Sequence, residues 1–295
     1  FIEHHLAHGA AAYYGSPFDL KETVLIMTCD GAGDGLSATV SIAKKGRIKR
    51  IAKTTRAASL GKIYSRVTYL LGFKPWEHEY KIMGLAPYSS KKSAEEIKNI
   101  FNKLLKLSDD GLGFSTVGKL QMNYIYKFLH KQLERKKFDA IAGGLQIFTE
   151  ELLADWVQKT IKRTGIKTIV LGGGVFMNVK ANKIISQLKE VKRMFVFPSC
   201  GDESLSIGAV YNEYARLNPK KIIKKKNPFN NPYLGRHFDD NEIFEILKRN
   251  KINNNYKILK SNNIEKDIAE LLAQNKIVAR FSGRMEWGAR SLGNR

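Results

Sequence analysis

Residues 166–178 read IKTIVLGGGVFMN, and this stretch decides the class of fold. Ile166 to Leu171 predicts a short buried strand, and Gly172-Gly173-Gly174 leads into a helix predicted from about residue 178. A strand that enters three glycines and then a helix is typical of a cradle for phosphate or ribose. A tight strand–helix turn is the plainer alternative, but it would rarely need three consecutive glycines. The stretch matches neither GxGxxG nor GxxxxGK[ST], so a Rossmann dinucleotide site and a P-loop are both poorly supported.

Strands and helices alternate on both sides of this stretch. Strands are predicted at Thr23–Thr28, Leu36–Ala43, Ile48–Thr54, Met194–Phe197 and Ile277–Phe281. Helices are predicted at 1–14, 60–72, 93–107, 120–134, 139–163, 203–216, 240–250 and 264–275, with a loop from Phe73 to Tyr88. This alternation, with glycine-rich loops after strands, predicts an α/β fold that binds ligands at the carboxyl ends of its strands.

The first chemical motif is a group of histidines near residue 1. The chain has six histidines, and three of them lie within His4 to His8. His4 and His8 are four residues apart, so on a helix both imidazoles project from one face and suit one divalent metal ion. His5 points elsewhere. A surface helix with three histidines is the alternative, and we favour the metal site, which needs an acidic third ligand from a distant loop.

Asp202 is the best candidate for that third ligand, and Asp30 opens a second, separate acidic segment. Asp202 follows Pro198 to Gly201 at the end of a predicted strand, where it is either a metal ligand or a helix N-cap. Asp30 opens the segment DGAGDG, whose glycines let backbone N–H groups approach a phosphate. An aspartate at a strand end can hold a metal ion or a substrate hydroxyl, but the segment also suits a plain hairpin turn. The pattern leaves both choices open.

Two basic segments could contact phosphate. In EYKIMGLAPY, residues 79–88, Lys81 could bind a phosphate and Gly84 permits close approach, although this signal is weak alone. Residues 283–295 carry three arginines in a loop punctuated by glycine, and this pattern suits binding of a phosphate group, such as those of a nucleotide, better than a solvated basic loop.

Composition restricts the class of protein. The formal net charge of +22 favours anionic partners, but the lysines are spread along the chain and the densest run, Lys220 to Lys226, lies in a predicted linker. We therefore attribute the charge to a lysine-rich composition, and nucleic acid is the less favoured partner. Cys29 and Cys200 form no CxxC pair, which fits a reducing cytoplasm. No apolar run reaches the about 18 residues of a membrane span. Because residue 1 is Phe and Arg295 ends inside a motif, we interpret both ends as truncations.

Six blocks together resemble one family, the O-carbamoyltransferases typified by nodulation protein U and the antibiotic-tailoring carbamoyltransferases. The blocks cover nearly the whole chain in the family's order: HHLAHGAAAYYGSPF, DGAGDG, EYKIMGLAPY, LGGGVFMNVKAN, PSCGDESLSIGA and GRMEWGARSLGNR. The chain departs from the family at Ala289, where proline is usual, and at Ser89, where glycine is usual.

The resemblance implies a fold and a domain organisation. Residues 1–216 would form an actin/Hsp70-like (RNase H-like duplicated) ATPase fold, related to tRNA threonylcarbamoyltransferase. Residues 217–261 would be a linker region. Residues 262–295 would begin a second α/β domain that resembles threonylcarbamoyl-adenylate synthase.

The resemblance also implies the chemistry. The family makes carbamoyl-adenylate from carbamoyl phosphate and ATP, and we expect transfer of the carbamoyl group to a hydroxyl of a sugar or another small-molecule natural product. Modification of tRNA and non-catalytic binding of a nucleotide or sugar are the alternatives. The implied roles are a metal site, with Fe²⁺ expected, at His4, His8 and Asp202; catalytic positions at Asp30 and Asn178; and cofactor contacts at Lys81, Gly84, Gly172, Gly173, Gly174, Asn178, Arg284 and Arg290.

Overall fold

A computed structural model describes residues 1–120, 122, 124–224, 228–288 and 291–294. The chain divides into two compact units, Phe1–Phe229 and Asn230–Arg295. The boundary between the two units lies within residues 217–261, which the sequence assigns to a linker region. The candidate metal residues all belong to the first unit.

The first unit combines helices with one main sheet. Its strands are β1 (Val24–Gly33), β2 (Leu36–Lys44), β3 (Arg47–Thr55), β4 (Leu105–Leu107), β5 (Phe114–Thr116), β6 (Thr168–Gly172) and β7 (Arg193–Val196). Its helices are α1 (His4–Gly15), α2 (Leu60–Leu70), α3 (Glu79–Leu85), α4 (Lys91–Phe101), α5 (Tyr126–Leu133), α6 (Phe138–Thr164), α7 (Val179–Ser186), α8 (Leu205–Leu217) and α9 (Pro219–Ile222).

The main sheet has five strands in the order β3-β2-β1-β6-β7. β1, β2 and β3 pair antiparallel, whereas β6 pairs parallel with both β1 and β7. This order and these directions are those of the RNase H-like module, so the predicted actin/Hsp70-like class of α/β fold is confirmed; the described residues contain one such sheet. Because β1, β6 and β7 run in one direction, the segments that follow them meet at a single edge.

Helix α1 brings its histidines to that edge. Its residues from Ala7 to Gly15 are buried, and small side chains at Ala10, Ala11 and Ala12 let it lie close to its neighbours. A Cβ on Gly208 of α8 would overlap the carbonyl group of Ala7, so glycine is needed where the two helices meet. Helix α6 buries Trp156 and ends at Thr164, where Gly165 forms the cap with a φ of 72° that suits glycine.

Four predicted elements differ from the structure, one of them the helix predicted over 120–134, which begins at Tyr126. The loop predicted from Phe73 to Tyr88 contains α3, so Lys81 and Gly84 lie on a helix. The helix predicted over 93–107 ends at Phe101, and the chain then forms β4 against β5. The strand predicted at Ile277–Phe281 is wrong: the described residues of the second unit hold no strand to accept its backbone hydrogen bonds, and the side chain of Ile277 is exposed.

The second unit contains α10 (Asp240–Arg249) and α11 (Ile264–Ala273). Asp239 and Glu242 form a capping box at the start of α10, and Asn263 caps α11. Throughout the described ranges of both units, every helix is too short or too polar to cross a lipid bilayer.

Candidate metal centre

Four side chains converge at the sheet edge. His4 and His8 come from α1, Asp30 from the bulged end of β1, and Asp202 from the turn before α8. One donor atom from each lies within 4.8 Å of the other three. Nε2 of His4 is 3.2 Å from Nε2 of His8 and 2.9 Å from Oδ2 of Asp30. The same Asp30 oxygen is 3.4 Å from His8, and Oδ1 of Asp202 is 3.6 Å from each histidine nitrogen.

These separations fit the edges of a metal coordination shell. Ligand atoms about 2.1 Å from a metal ion lie roughly 3.0 Å apart at neighbouring octahedral positions and roughly 3.4 Å apart in a tetrahedron. The observed 2.9 to 3.6 Å span these values. Without a metal ion between them, two imidazole nitrogens 3.2 Å apart must share a proton in a hydrogen bond. Two imidazoles with two carboxylates suit a divalent transition metal such as Fe²⁺ or Zn²⁺.

The four groups differ in exposure. The side chain of His8 is fully buried, those of His4 and Asp30 are mostly buried, and that of Asp202 is 71% exposed. Burial raises the pKa of Asp30, but hydrogen bonds with His4 and His8 outweigh burial and hold this pKa well below its usual range. Burial lowers the pKa of His8, but the neighbouring carboxylates of Asp202 and Asp30 outweigh burial and raise this pKa. The cluster is therefore buried on the histidine side and open beside Asp202.

Contacts behind the cluster fix its side chains. Nδ1 of His8 lies 3.1 Å from the hydroxyl oxygen of Ser204, which is buried. Such contacts orient the imidazole and leave the other ring nitrogen for a metal ion. Oδ1 of Asp30 accepts a hydrogen bond of 3.2 Å from the backbone N–H of Gly174. One carboxylate thus joins the histidine pair to the triple-glycine loop.

His5 faces away from the cluster, as predicted. Its Nδ1 is 2.9 Å from the hydroxyl oxygen of Thr28, which lies 2.6 Å from that of Thr39. All three side chains are buried, and burial lowers the pKa of His5 to about 4. His5 is therefore a neutral core histidine.

The triple-glycine loop packs tightly against the protein itself. A Cβ on Gly172 would lie 2.9 Å from the carbonyl oxygen of His8, and one on Gly173 would overlap the backbone of Cys29. Gly173 has a φ of 95° and donates its N–H to the carbonyl of Cys200. The N–H groups of Gly173 and Gly174 are thus both donated to the protein, and the phosphate role of this loop stays a prediction.

Asn178 is the N-cap of α7 and is buried. Its Oδ1 accepts from the N–H of Ala181 and from Nε2 of Gln146, and its Nδ2 donates to Oε1 of Gln146 over 2.9 Å. Tyr64 and Glu150 extend this network. These contacts of Asn178 are structural, and its predicted catalytic role stays a prediction.

The remaining predicted residues lie outside the cluster. Lys81 is on α3, with its ammonium group 5.7 Å from the ring centre of Phe73, and Gly84 is an exposed glycine of the same helix. Arg284 belongs to the second unit, where its carbonyl accepts from Asn294. Arg290 lies outside the described residues.

Sequence reasoning does not assign two residues to the metal cluster or its support. Asp30 is predicted as a catalytic position, at a strand end that suits a metal ion, a substrate hydroxyl or a plain hairpin turn, and the geometry brings it beside the histidines. The available signal was its place at the end of a strand parallel to β6 and β7. Ser204 had no distinctive signal. Asp202 begins a short 3-10 turn, Asp202–Ser204, whose N-cap is Gly201, and the N-cap of α8 is Ser204. Asp202 therefore caps neither element, and the N-cap alternative does not describe it.

The chain is thus an α/β protein with an RNase H-like sheet. Its candidate metal centre, made of two histidines and two aspartates, lies at the carboxyl ends of the parallel strands. The model of the carbamoyltransferase N-terminus matches residues 1–211, and that of the carbamoyltransferase C-terminus matches residues 269–295. The chain belongs to the carbamoyltransferase family.

Three relatives illustrate its range of similarity. The chain is 33% identical to uncharacterized protein MJ1051 of Methanocaldococcus jannaschii, over all of this chain and 55% of that one. It is 26% identical to nodulation protein NolNO of Sinorhizobium fredii, over all of this chain and 42% of that one. It is 24% identical to tRNA N6-adenosine threonylcarbamoyltransferase of Lactobacillus delbrueckii, over 77% and 64% respectively. The chain spans about half the length of the curated relatives it matches.

Proposed function

We propose that this chain is the metal- and nucleotide-binding core of an ATP-dependent O-carbamoyltransferase. The observation that carries this proposal is the cluster of His4, His8, Asp30 and Asp202, linked through Asp30 to Gly174, in a chain of the carbamoyltransferase family. The carbamoyl group would come from carbamoyl phosphate by way of carbamoyl-adenylate. The acceptor would be a hydroxyl of a sugar or another natural product, and the protein would act in the cytoplasm, where ATP is available.

The residues present fit a metal ion, and we propose Fe²⁺. His4, His8, Asp30 and Asp202 would hold it, since their donor atoms already lie at ligand separations. When bound, such an ion supplies Lewis-acid polarisation of a carbonyl or phosphoryl oxygen. Ser204 holds the His8 ring, and Asp30 keeps the loop at Gly174 beside the cluster. The exposed side of Asp202 leaves room for a substrate.

The transfer step exchanges one bond to the carbamoyl carbon for another. The acceptor oxygen forms a bond to the carbamoyl carbon while the bond from that carbon to the adenylate phosphate oxygen breaks; the hydroxyl proton is lost and AMP leaves. Fixed ligands and backbone groups lower such a barrier by holding both partners in place. We propose that Lys81, Gly84, Gly172 to Gly174 and Asn178 contact the adenylate, and that Arg284 and Arg290 belong to the region that forms it.

The test is a product assay. The intact protein is incubated with carbamoyl phosphate, ATP and a panel of hydroxyl acceptors, and mass spectrometry searches for an acceptor heavier by one carbamoyl group. We expect a product that depends on both carbamoyl phosphate and ATP and that disappears in His8→Ala. His130→Ala, an exposed histidine on α5, is the matched control and should retain the product. If neither carbamoyl phosphate nor ATP is consumed with any of the acceptors, the proposal is wrong.

A second candidate is modification of tRNA. It is favoured by the similarity to a tRNA threonylcarbamoyltransferase and by the net charge of +22. It predicts tight tRNA binding that weakens steeply with salt, because phosphate contacts release counterions. A non-catalytic nucleotide or sugar sensor is the third candidate, and it predicts binding of ATP without consumption of carbamoyl phosphate.

A further inference from the structure

Residues 35–76 contain ten basic residues and no acidic one. Seven of the ten lie in the end of β2, the β2–β3 turn, β3 and the residue after it: Lys44, Lys45, Arg47, Lys49, Arg50, Lys53 and Arg56. Arg50 forms an ion pair with Glu3. The other six side chains are exposed, and among the described residues no carboxylate lies within ion-pair distance of them. These six residues form a basic stripe whose positive charge no described neighbour neutralises.

The geometry of β3 makes the basic stripe linear. Exposure alternates along the strand, so that Arg47, Lys49, Ile51 and Lys53 are exposed and the residues between them are not. Residues two apart on a strand lie about 6.6–6.8 Å from each other, and the nine residues of β3 span about 27 Å. β3 is also the last strand in the sheet order. A small anion could meet only one or two of these cations, whereas an extended polyanion could meet all of them.

A second basic segment joins the stripe at its turn. Gly46 lies against α9, since a Cβ on this glycine would be 3.2 Å from the side chain of Ile222. Lys220, Lys221 and Lys224, in and after this helix, are exposed. The densest lysine run of the sequence, predicted as part of a linker, therefore lies beside the β2–β3 turn. The lysines are spread along the sequence, but the fold gathers two of their groups around one turn.

The other end of the stripe reaches the hairpin beside the candidate metal centre. The N–H of Arg56 donates to the carbonyl of Gly35, in the β1–β2 turn. Positive charge is also crowded here, because burial, Arg56 and Arg66 together lower the pKa of Lys62 in the first turn of α2. The positive surface therefore extends from α9 along β3 to α2.

Two plainer explanations account for less of this pattern. Charged side chains on an edge strand prevent its pairing with another chain, but that role needs charges on β3 alone. An acidic protein would match the charge of the stripe. Protein interfaces, however, have an apolar core, and Ile51 is the one exposed apolar side chain within β3.

The phosphate backbone of a nucleic acid fits the stripe better. It presents regularly spaced negative charges along a line, and lysine and arginine are the side chains that neutralise them. Proteins that bind single strands add aromatic side chains on which bases stack, and residues 35–63 contain no aromatic residue. The stripe is therefore suited to the outside of a duplex, whose bases remain paired.

We propose that the basic stripe binds the phosphate backbone of a double-stranded nucleic acid without reading its sequence. This inference goes beyond the proposed carbamoyl transfer, and it does not make the nucleic acid the carbamoyl acceptor. The phosphates would lie along β3, with further contacts to the lysines of α9 at one end and to the start of α2 at the other.

The experiment measures the fluorescence anisotropy of labelled duplexes titrated with the intact protein. RNA and DNA duplexes of about 20 base pairs, each in two unrelated sequences, are compared between about 50 and 200 mM salt. We expect both kinds of duplex to bind, with Kd values for the two sequences that agree within about threefold, because the contacts are to phosphate. The logarithm of affinity should fall against the logarithm of salt concentration with a slope of about −5, since six contacts contribute about −0.9 each.

Matched variants locate the contact on the stripe. The stripe variant replaces four exposed cations by glutamine: Lys45→Gln, Arg47→Gln, Lys49→Gln and Lys53→Gln. It should bind a duplex at least tenfold more weakly at about 100 mM salt, with a slope shallower by about 3.6.

Two further variants separate the stripe from net charge and from folding. The control variant removes the same charge from exposed lysines of α4, α5 and the loop after α5, and it should keep most of the affinity: Lys91→Gln, Lys92→Gln, Lys131→Gln and Lys136→Gln. The combination of Lys45→Arg, Lys49→Arg and Lys53→Arg keeps the charge of the stripe and should bind as tightly as the unchanged protein.

Four results would overturn the proposal. They are a lack of binding to both kinds of duplex, equal weakening in the stripe and control variants, binding of polyglutamate as tight as that of a duplex, and a clear preference for one sequence or for tRNA over a plain duplex. None of these results bears on carbamoyl transfer, which the product assay tests with hydroxyl acceptors, and failure of that assay leaves the duplex-binding stripe standing.

Discussion

Gly33 lies against the imidazole ring of His4. A Cβ added to Gly33 would overlap the ring atoms, although the two residues are 29 positions apart in the sequence. The β1–β2 hairpin therefore packs directly against the ring of His4, a candidate metal ligand. Position 33 needs glycine because the His4 ring lies so close to it, and not because its backbone conformation is unusual.

The first prediction concerns this contact. Gly33→Ala should move the His4 ring out of the cluster and weaken zinc or iron binding roughly 10- to 100-fold, the range seen when support of a metal ligand is lost. Gly31→Ala is the matched control, because a Cβ there meets nothing within 4 Å. Metal affinity is measured by competition with a chelator. Equal loss in both variants would show that the effect comes from the strand in general and not from His4.

The second prediction concerns Ser204. Ser204→Ala removes the hydroxyl that lies 3.1 Å from Nδ1 of His8, so the ring loses its fixed orientation. Metal affinity should fall about 10- to 100-fold, and Ser204→Thr, which keeps the hydroxyl, should restore most of it. Ser186→Ala on α7 tests the loss of an exposed hydroxyl elsewhere. An unchanged dissociation constant in Ser204→Ala would remove this residue from the site.

The third prediction concerns Asn178. Asn178→Ala deletes the cap of α7 and removes two hydrogen bonds from the buried amide of Gln146, which keeps its contacts with Tyr64 and Glu150. The free energy of unfolding should therefore fall by about 2–3 kcal/mol. Ser90→Ala removes only an exposed cap of α4 and should cost about 1 kcal/mol. Urea unfolding measures both. Similar losses in the two variants would show that the amide pair contributes little.

The fourth prediction concerns Gly84. This glycine is exposed within α3, and a Cβ there meets nothing within 4 Å. Gly84→Ala should therefore stabilise the helix by about 1 kcal/mol and raise Tm by roughly 2–4 °C. If the residue faces adenosine, the same change should weaken binding of a non-hydrolysable ATP analogue. A higher Tm with unchanged nucleotide affinity would contradict that placement.

Sequence patterns predict the strand before the glycines and the helical spacing of the two histidines, because both signals are local. The apolar run before Gly172 and the spacing of His4 and His8 each depend on a few neighbouring residues, and both features occur in the structure as expected. The convergence of Asp30 and Asp202 on the histidines depends on the parallel pairing of distant strands. Local spacing alone could not choose between a ligand, a cap and a turn.

The wrong predictions have a common cause. Ile277 to Phe281 has the residues of a strand, but a strand also needs a neighbour to pair with, and periodicity contains no information about one. The proline, glycine and aromatic content of the segment from Phe73 to Tyr88 predicts a loop. The short helix α3 within this segment is stabilised by packing, since the side chain of Ile82 is fully buried. Glu79 lies in the first turn of that helix.

The most direct test of the central claim is an anomalous difference map at the iron K edge, from crystals grown anaerobically with Fe²⁺. The account predicts one strong peak about 2.0–2.3 Å from Nε2 of His4, Nε2 of His8, Oδ2 of Asp30 and Oδ1 of Asp202. Protein that carries iron with its peak elsewhere, or crystals with no peak among these four atoms at saturating iron, would contradict it.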